Sequence, residues 1–119
     1  MGITALKAKI VNPADRARFE IIECVVDSGA IFAVVPAPVL RRIGVRPNRR
    51  ESFTLMDGSQ VTRQLADAVF EVAGRQGASP VIVGKPGDAT VMGAVTLESL
   101  GLMLDPLRRE LRPMRMLML

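Results

Sequence analysis

The 119-residue sequence contains no histidine, and this absence excludes several kinds of chemistry at once. Without an imidazole there is no Ser-His-Asp or Cys-His catalytic group, and most zinc and transition-metal sites are excluded as well. The single cysteine, Cys24, cannot form a disulfide within the chain, and its apolar neighbours predict a buried thiol. We therefore expect a protein that uses neither a metal nor a cofactor.

Aromatic residues are also scarce, because the chain has four phenylalanines and neither tryptophan nor tyrosine. Proteins that read single-stranded nucleic acid stack the bases on aromatic side chains, so this composition argues against such a partner. The net charge of +4 keeps nonspecific phosphate binding open. Most of the arginines, however, lie in two short clusters at 41–50 and 108–115, which we interpret as solvated basic loops. We expect no nucleic-acid partner.

Long apolar runs are missing too. No run approaches the roughly 18 apolar residues that a membrane-spanning helix needs. No charged segment followed by an apolar one, as in a secretory leader, opens the chain. The length fits one domain over residues 1–119, and the apolar fraction of 49% allows a core of ordinary size. We expect a cytoplasmic protein with no membrane partner.

Short segments in which apolar and polar residues alternate predict a mainly β fold. The predicted strands lie at 3–11, 18–26, 33–36, 53–56, 60–63, 66–72, 80–83 and 89–92. Asp57-Gly58, between two of these strands, is a strong hairpin signal. One helix is predicted at 94–100, ended by Gly101, and a second, shorter one at 38–43, with a proline near its start.

One apolar strand ends in Asp27-Ser28-Gly29-Ala30, which places a carboxylate, a hydroxyl and two small residues in succession. Aspartate is unfavourable within strands, so Asp27 is either an ordinary turn residue or a carboxylate placed for chemistry. Asp-Ser-Gly is common in turns, and taken alone it favours the first interpretation. A second segment, 91–102, adds two apolar residues, a glycine at Gly93 and the Leu-rich stretch of the predicted helix.

Together, these two segments and the hairpin between them resemble the retropepsin-like aspartic proteases. The resemblance spans roughly residues 5–115 and rests on the order and spacing of the segments. It implies a single-domain, mainly β fold: one closed β-barrel half with a flap hairpin and one short C-terminal helix, paired with a second copy across a two-fold axis. It also implies an aspartic endopeptidase that hydrolyses peptide bonds in peptide or protein substrates, and that works as a homodimer.

Without histidine or a metal, two carboxylates that share one proton can carry out peptide hydrolysis, one acting as base and the other as acid. The chain has one such aspartate, since no other aspartate repeats the context of an apolar run followed by Asp-Ser-Gly. The second carboxylate must then be Asp27 of another copy. In this arrangement Ser28 braces the paired strands across the axis, Gly29 lets the backbone approach the carboxylate, and Ala30 leaves room for substrate. The flap tip that closes over a peptide is formed by Met56, Asp57, Gly58 and Ser59.

Three further expectations follow from the same segments. Ile31 and Phe32 have no chemical role and are expected to pack in the core. The glycine of Met92-Gly93 is expected to pack against the Asp27 loop, as the resemblance implies. The terminal segments 6–10 and 111–119 are expected to form strands that contribute to a dimer sheet, because exposed strand edges seek partners.

A second function fits the same residues. The fold needs the Asp27 loop packed whether or not it cleaves peptides, so the chain could instead be a catalytically weak or inactive module for dimerisation or peptide binding. The sequence alone does not separate these two functions.

Overall fold

The computed structural model describes residues 4–119. In chain order, its elements are β1 (Thr4–Asn12), β2 (Asp15–Val26), β3 (Ala33–Pro36), α1 (Ala37–Arg42), β4 (Arg49–Thr54), β5 (Gln60–Val72), β6 (Arg75–Gly84), β7 (Val91–Met92), α2 (Ala94–Leu100), β8 (Leu102–Asp105) and β9 (Glu110–Pro113). The prediction of a mainly β fold is confirmed.

Seven of these strands form one mixed sheet in the order β1-β2-β7-β3-β6-β5-β4. The β1–β2, β4–β5 and β5–β6 pairs are antiparallel hairpins, whereas β7 lies parallel to β2. β1 also pairs with β5 over three residues, so it is hydrogen-bonded on both sides near its end. β8 and β9 form a separate hairpin.

One hydrophobic core lies against this sheet and joins the sheet to both helices. The burial of β1 explains its alternation, because Ala8 and Ile10 are buried whereas Lys7 is exposed and Lys9 is half-buried. In β2 the apolar Phe19 and Ile21 are exposed, and the opposite face becomes buried at Cys24 and Val26, just before the Asp27 loop. The largest fully buried side chains are Phe70, Ile10, Leu40, Leu65 and Met92.

Both predicted helices are present. α2 covers the predicted residues and ends at Gly101, whose positive φ of 68° lets its N–H reach back to the Glu98 and Leu97 carbonyls. α1 lies one residue earlier than predicted and has a proline in its first turn. A hydrogen bond of 2.8 Å between the buried hydroxyls of Ser79 and Thr96 holds α2 against β6.

Several predicted boundaries differ from the structure. The predicted strands 60–63 and 66–72 are one strand, β5, because Gln64 and Leu65 continue the alternation and pair with β4 and β6. The predicted strand 53–56 begins earlier, at Arg49, and ends at Thr54. The strand predicted at 80–83 is part of a longer strand, β6, which begins at Arg75, and Ala73 and Gly74 form the turn between β5 and β6.

The expected terminal strands are present only in part. Residues 6–10 lie within β1 and are paired with β2 over their whole length. Of residues 111–119, only 111–113 are in a strand, β9, and residues 114–119 have no regular secondary structure. Over residues 4–119, no helix is long and apolar enough to span a membrane.

Candidate active site

The Asp27 loop is a tight turn directly after β2. The Ala30 N–H donates to the Asp27 carbonyl at 3.2 Å, and the Gly29 N–H donates to Asp27 Oδ1 at 2.9 Å. The side chains of Asp27 and Ser28 are exposed. The carboxylate is thus held by one backbone donor in an Asx turn and remains open to solvent on its other side.

Strand β7 and the residue before it hydrogen-bond to the backbone at the end of β2 and the start of this loop. The Asp27 N–H donates to the Met92 carbonyl at 3.1 Å, and the Val25 N–H donates to the Thr90 carbonyl at 3.0 Å. Met92 is fully buried beneath the loop. Although β7 has only two residues, it fixes the end of β2 and therefore the position of the carboxylate.

Gly93 is packed directly against the Asp27 loop, as expected from the sequence. A Cβ on Gly93 would lie 2.7 Å from the Phe32 carbonyl oxygen and 2.9 Å from the Ala30 carbonyl oxygen. No side chain fits at these distances from backbone atoms. The absence of a Cβ is what allows the two segments to touch.

The same loop caps the start of α2. The Ala94 N–H donates to the Ala30 carbonyl at 2.8 Å, and the Val95 N–H donates to the Ile31 carbonyl at 3.0 Å. The first N–H groups of a helix have no partner within the helix, so the loop satisfies two of them. The residues after Asp27, β7 and α2 therefore form one hydrogen-bonded unit.

The predicted flap is the hairpin of β4 and β5, and its tip has the expected residues. The Leu55 N–H donates to the Ser59 carbonyl, and the Gly58 N–H donates to the Leu55 carbonyl, which closes the turn. Gly58 has a φ of 86°, which favours glycine. The Asp57 carboxylate accepts from both the N–H and the hydroxyl of Ser59, and these bonds lower the pKa of Asp57. Met56 is fully exposed at the tip.

A cleft of about 650 Å³ separates this hairpin from the Asp27 loop. Gly29 and Ala30 line one side of it, and strand residues of the flap such as Phe53 and Val61 line the other. Of the residues predicted to bind substrate, Ala30 lines the cleft, whereas Met56, Asp57, Gly58 and Ser59 do not. Within one chain, the flap strands and Leu55 thus share the cleft with the residues that follow Ser28, whereas flap residues 56–59, Asp27 and Ser28 are not part of its lining.

Two side chains that the sequence placed in the core also line the cleft. Ile31 is mostly exposed, and Phe32 is half-buried. The Phe32 ring packs edge-to-face on the Phe53 ring of β4, with centroids 6.2 Å apart, and so joins the two sides of the cleft. The expectation that both residues are buried in the core is therefore wrong for Ile31 and incomplete for Phe32.

Sequence reasoning missed one charged pair in the cleft wall. Arg63 of β5 donates to Asp88 through Nε and Nη2, at 2.8 Å and 2.9 Å, in a bidentate ion pair. This bond lowers the pKa of Asp88, with the backbone N–H of Lys85 contributing to the same shift. The two residues are far apart in the sequence and share no motif, so no local signal could have identified them.

The other aspartates are all engaged away from Asp27. Those at the flap tip and in the cleft wall bind Ser59 and Arg63, as described above. The remaining three accept hydrogen bonds from nearby groups: Asp15 from Ala17, Asp67 from Asn48, and Asp105 from Leu107 and Arg108. Within residues 4–119, no group of three or more His, Cys, Asp or Glu side chains is placed to hold a metal ion.

Cys24 is buried, as predicted, and burial raises the pKa of its thiol to about 11. Because the thiol is the unreactive form, this residue is not a nucleophile at neutral pH. We expect the folded protein to resist a thiol reagent such as Ellman's reagent at pH 8 and to react stoichiometrically once it is denatured. Rapid reaction of the folded protein would show that the end of β2 opens easily.

Alanine substitutions at Gly93 and Gly29 should have different effects, because a Cβ on Gly93 meets backbone atoms whereas a Cβ on Gly29 meets the Asp27 carboxylate. Gly93→Ala forces a methyl group against backbone carbonyls, so we expect it to lower the free energy of unfolding by about 1–3 kcal/mol. Gly29→Ala meets only Asp27 Oδ1, at 3.2 Å, so it should cost less stability while displacing the carboxylate. Urea unfolding of both variants tests this order, and equal stability losses would contradict it.

No family model matches the chain, and no curated protein matches its sequence. The function has to be inferred from the residues of the site and their geometry. These residues offer one exposed carboxylate on a hydrogen-bonded turn, next to a largely apolar cleft that the following residues, Gly29 and Ala30, line together with the hairpin of β4 and β5.

Proposed function

We propose that the chain is an aspartic endopeptidase that is active as a homodimer. The observation that carries this proposal is the Asp27 carboxylate, which is exposed on a hydrogen-bonded turn whose next residues line the cleft under the β4–β5 hairpin. In this proposal, the sheet in which β1 pairs with both β2 and β5 is the closed barrel half of a retropepsin-like dimer.

The second carboxylate comes from another copy of the chain. Two carboxylates at hydrogen-bonding distance share one proton because both cannot be ionised there. The other aspartates of the chain are engaged elsewhere, as described above. A two-fold axis beside the exposed turn would bring the two Asp27 side chains together, since such an axis places the same residue on both sides of the interface.

Hydrolysis in this pair proceeds without a metal. The ionised carboxylate takes a proton from a bound water while the water oxygen bonds to the peptide carbonyl carbon, and the protonated carboxyl gives its proton to the carbonyl oxygen. The resulting diol collapses when the first carboxyl protonates the amide nitrogen, the second carboxylate takes a hydroxyl proton, and the C–N bond breaks. The pair again holds one proton, so the cycle can repeat.

Exposed apolar side chains support an assembly of two copies. Large hydrophobic residues are mostly solvent-exposed beside the Asp27 loop, in the turn between β8 and β9, and at the end of the chain, namely Ile31, Leu107, Met116, Leu117, Met118 and Leu119. Such residues on a soluble surface favour protein contacts. In the proposed dimer, residues 114–119 and the outer part of β1 contribute to the shared sheet.

The alternative, a dimerisation or peptide-binding module with little turnover, has one observation in its favour. The hydrogen bond of Asp27 to the Gly29 N–H is an ordinary Asx turn, and it stabilises the loop whether or not the carboxylate takes part in chemistry. Replacing the Asp27 carboxylate by an amide separates the two functions, because a binding module needs the loop but not the charge of the carboxylate.

Asp27→Asn should abolish cleavage of a mixed peptide library while the protein stays folded and dimeric. Asn keeps the side-chain oxygen that accepts from Gly29 but cannot act as base or share a proton, so the rate should fall by at least about a hundredfold. Peptide cleavage followed by mass spectrometry, together with sedimentation of the same samples, measures both properties.

Three outcomes would contradict the proposal. These are full activity of Asp27→Asn, loss of the parent activity on adding a chelator, and cleavage by a species with the mass of one chain. The parent enzyme should show a bell-shaped pH profile on the acidic side of neutrality, because a shared proton requires one ionised and one protonated carboxyl. A peptide mimic with a central hydroxyl should inhibit it, as an analogue of the diol.

Ser28 tests whether the loop is braced across the two-fold axis. Its hydroxyl is exposed, and no hydrogen bond within residues 4–119 satisfies it. If Asp27 is only a turn residue, Ser28→Ala should cost at most about 1 kcal/mol. If the hydroxyl bonds to the second copy, dimer affinity and turnover should fall together, and Ser28→Thr should retain both. Dilution series of the two variants, assayed for mass and activity, decide between these roles.

A further inference from the structure

The Arg63–Asp88 ion pair is the most completely formed polar contact of the cleft. Its side chains are 16% and 26% exposed, and the two parallel bonds use the planar fork of the guanidinium. A third bond, from Arg63 Nη1 to the Thr62 carbonyl at 3.0 Å, fixes the guanidinium against its own strand. Both residues line the cleft.

Asp88 is the last residue of a turn that two hydrogen bonds close. Its N–H donates to the Lys85 carbonyl at 3.0 Å, and its carboxylate accepts from the Lys85 N–H at 2.8 Å. Pro86 and Gly87 occupy the two central positions of this turn, and Gly87 has a φ of 93°. Proline followed by a glycine with positive φ is the preferred sequence of a type II turn, so the position of Asp88 is preorganised.

The turn leads directly into the strand that supports the candidate catalytic residue. Thr90 and Met92, which follow it, accept hydrogen bonds from Val25 and Asp27. Arg63, the partner of Asp88, lies on β5, opposite Glu51 of β4 in the flap hairpin. The ion pair therefore connects the base of the flap to the segment that holds the Asp27 loop.

We propose that Arg63 and Asp88 are positioning residues that hold the flap at a fixed height over the Asp27 loop, so that the cleft is formed before a peptide enters. This inference rests on the proposed function. A cleft that is already formed spares the bound peptide the cost of ordering the flap and the turn.

The Arg63–Asp88 ion pair persists at the mildly acidic pH at which a pair of aspartates works. The bond from Arg63 lowers the pKa of Asp88 below its usual value of 3.8. A carboxylate with a lowered pKa contributes its full stabilisation above 3.8, and loses it only as the pH falls through the lowered value. The pair therefore stays ionised in mildly acidic solution.

The test compares Asp88→Asn with a matched control, Glu20→Gln. Glu20 forms an equally bidentate pair with Arg42, at 2.8 Å for both bonds, but this pair joins β2 to α1 and none of its residues lines the cleft. In peptide cleavage, Asp88→Asn should raise KM by about tenfold with kcat changed by less than about threefold, because binding loses preorganisation while Asp27 is untouched. Glu20→Gln should leave both constants unchanged.

Amide hydrogen exchange of the free protein gives a readout that needs no activity. Asp88→Asn should speed exchange at Leu55, Gly58 and Asp88 by about tenfold, because these amides belong to the flap tip and the turn that the pair connects. Arg63→Lys keeps the charge but lacks the fork, so its exchange rates should be intermediate.

The positioning role would be overturned if Asp88→Asn had the same amide exchange rates or the same KM as Glu20→Gln. A parent protein that cleaves no peptide would instead overturn the proposed function and, with it, the catalytic part of this inference. The exchange rates would still decide whether the pair holds the flap, so the two failures are distinguishable.

Discussion

The candidate site depends on the junction at which the two-residue strand β7 joins β2. Val91 pairs with Val25 on one side and with Val34 on the other, and Met92 accepts the bond from the Asp27 N–H. So short a strand has few hydrogen bonds of its own, and its position is set by its neighbours and by Gly93 packed on the Asp27 loop. Because α2 and the Asp88 turn flank β7, any displacement here moves the carboxylate and the cleft wall together.

The elements with local signals could be predicted from the sequence. Alternation identified β1 and β2, Asp57-Gly58 identified the flap turn, and the stop at Gly101 fixed the end of α2, since each signal lies within the element that it specifies. The turn at Asp27 was also predictable, because aspartate, serine and glycine are all common turn residues.

The contacts across the cleft could not be predicted, because they join residues that are distant in the sequence. Phe32 meets Phe53 and Arg63 meets Asp88 only after the hairpin of β4 and β5 folds over the loop. Neither pair has a spacing that a motif would specify. Ile31 illustrates the same limit, since an isoleucine beside an apolar strand suggests the core, whereas here it is mostly exposed at the cleft. Such exposure is decided by tertiary packing, not by the residue type.

Under the proposed function, assembly and chemistry are coupled through one carboxylate. Four of the other aspartates accept hydrogen bonds from two or more protein donors, and Asp88 has a bidentate guanidinium partner, whereas Asp15, like Asp27, accepts from one backbone N–H. Asp27 has a single backbone donor and an open side. Proton sharing needs a second carboxylate in contact, so it exists only when two loops meet across the axis. The catalytic pair of this proposal is therefore formed only when two chains associate.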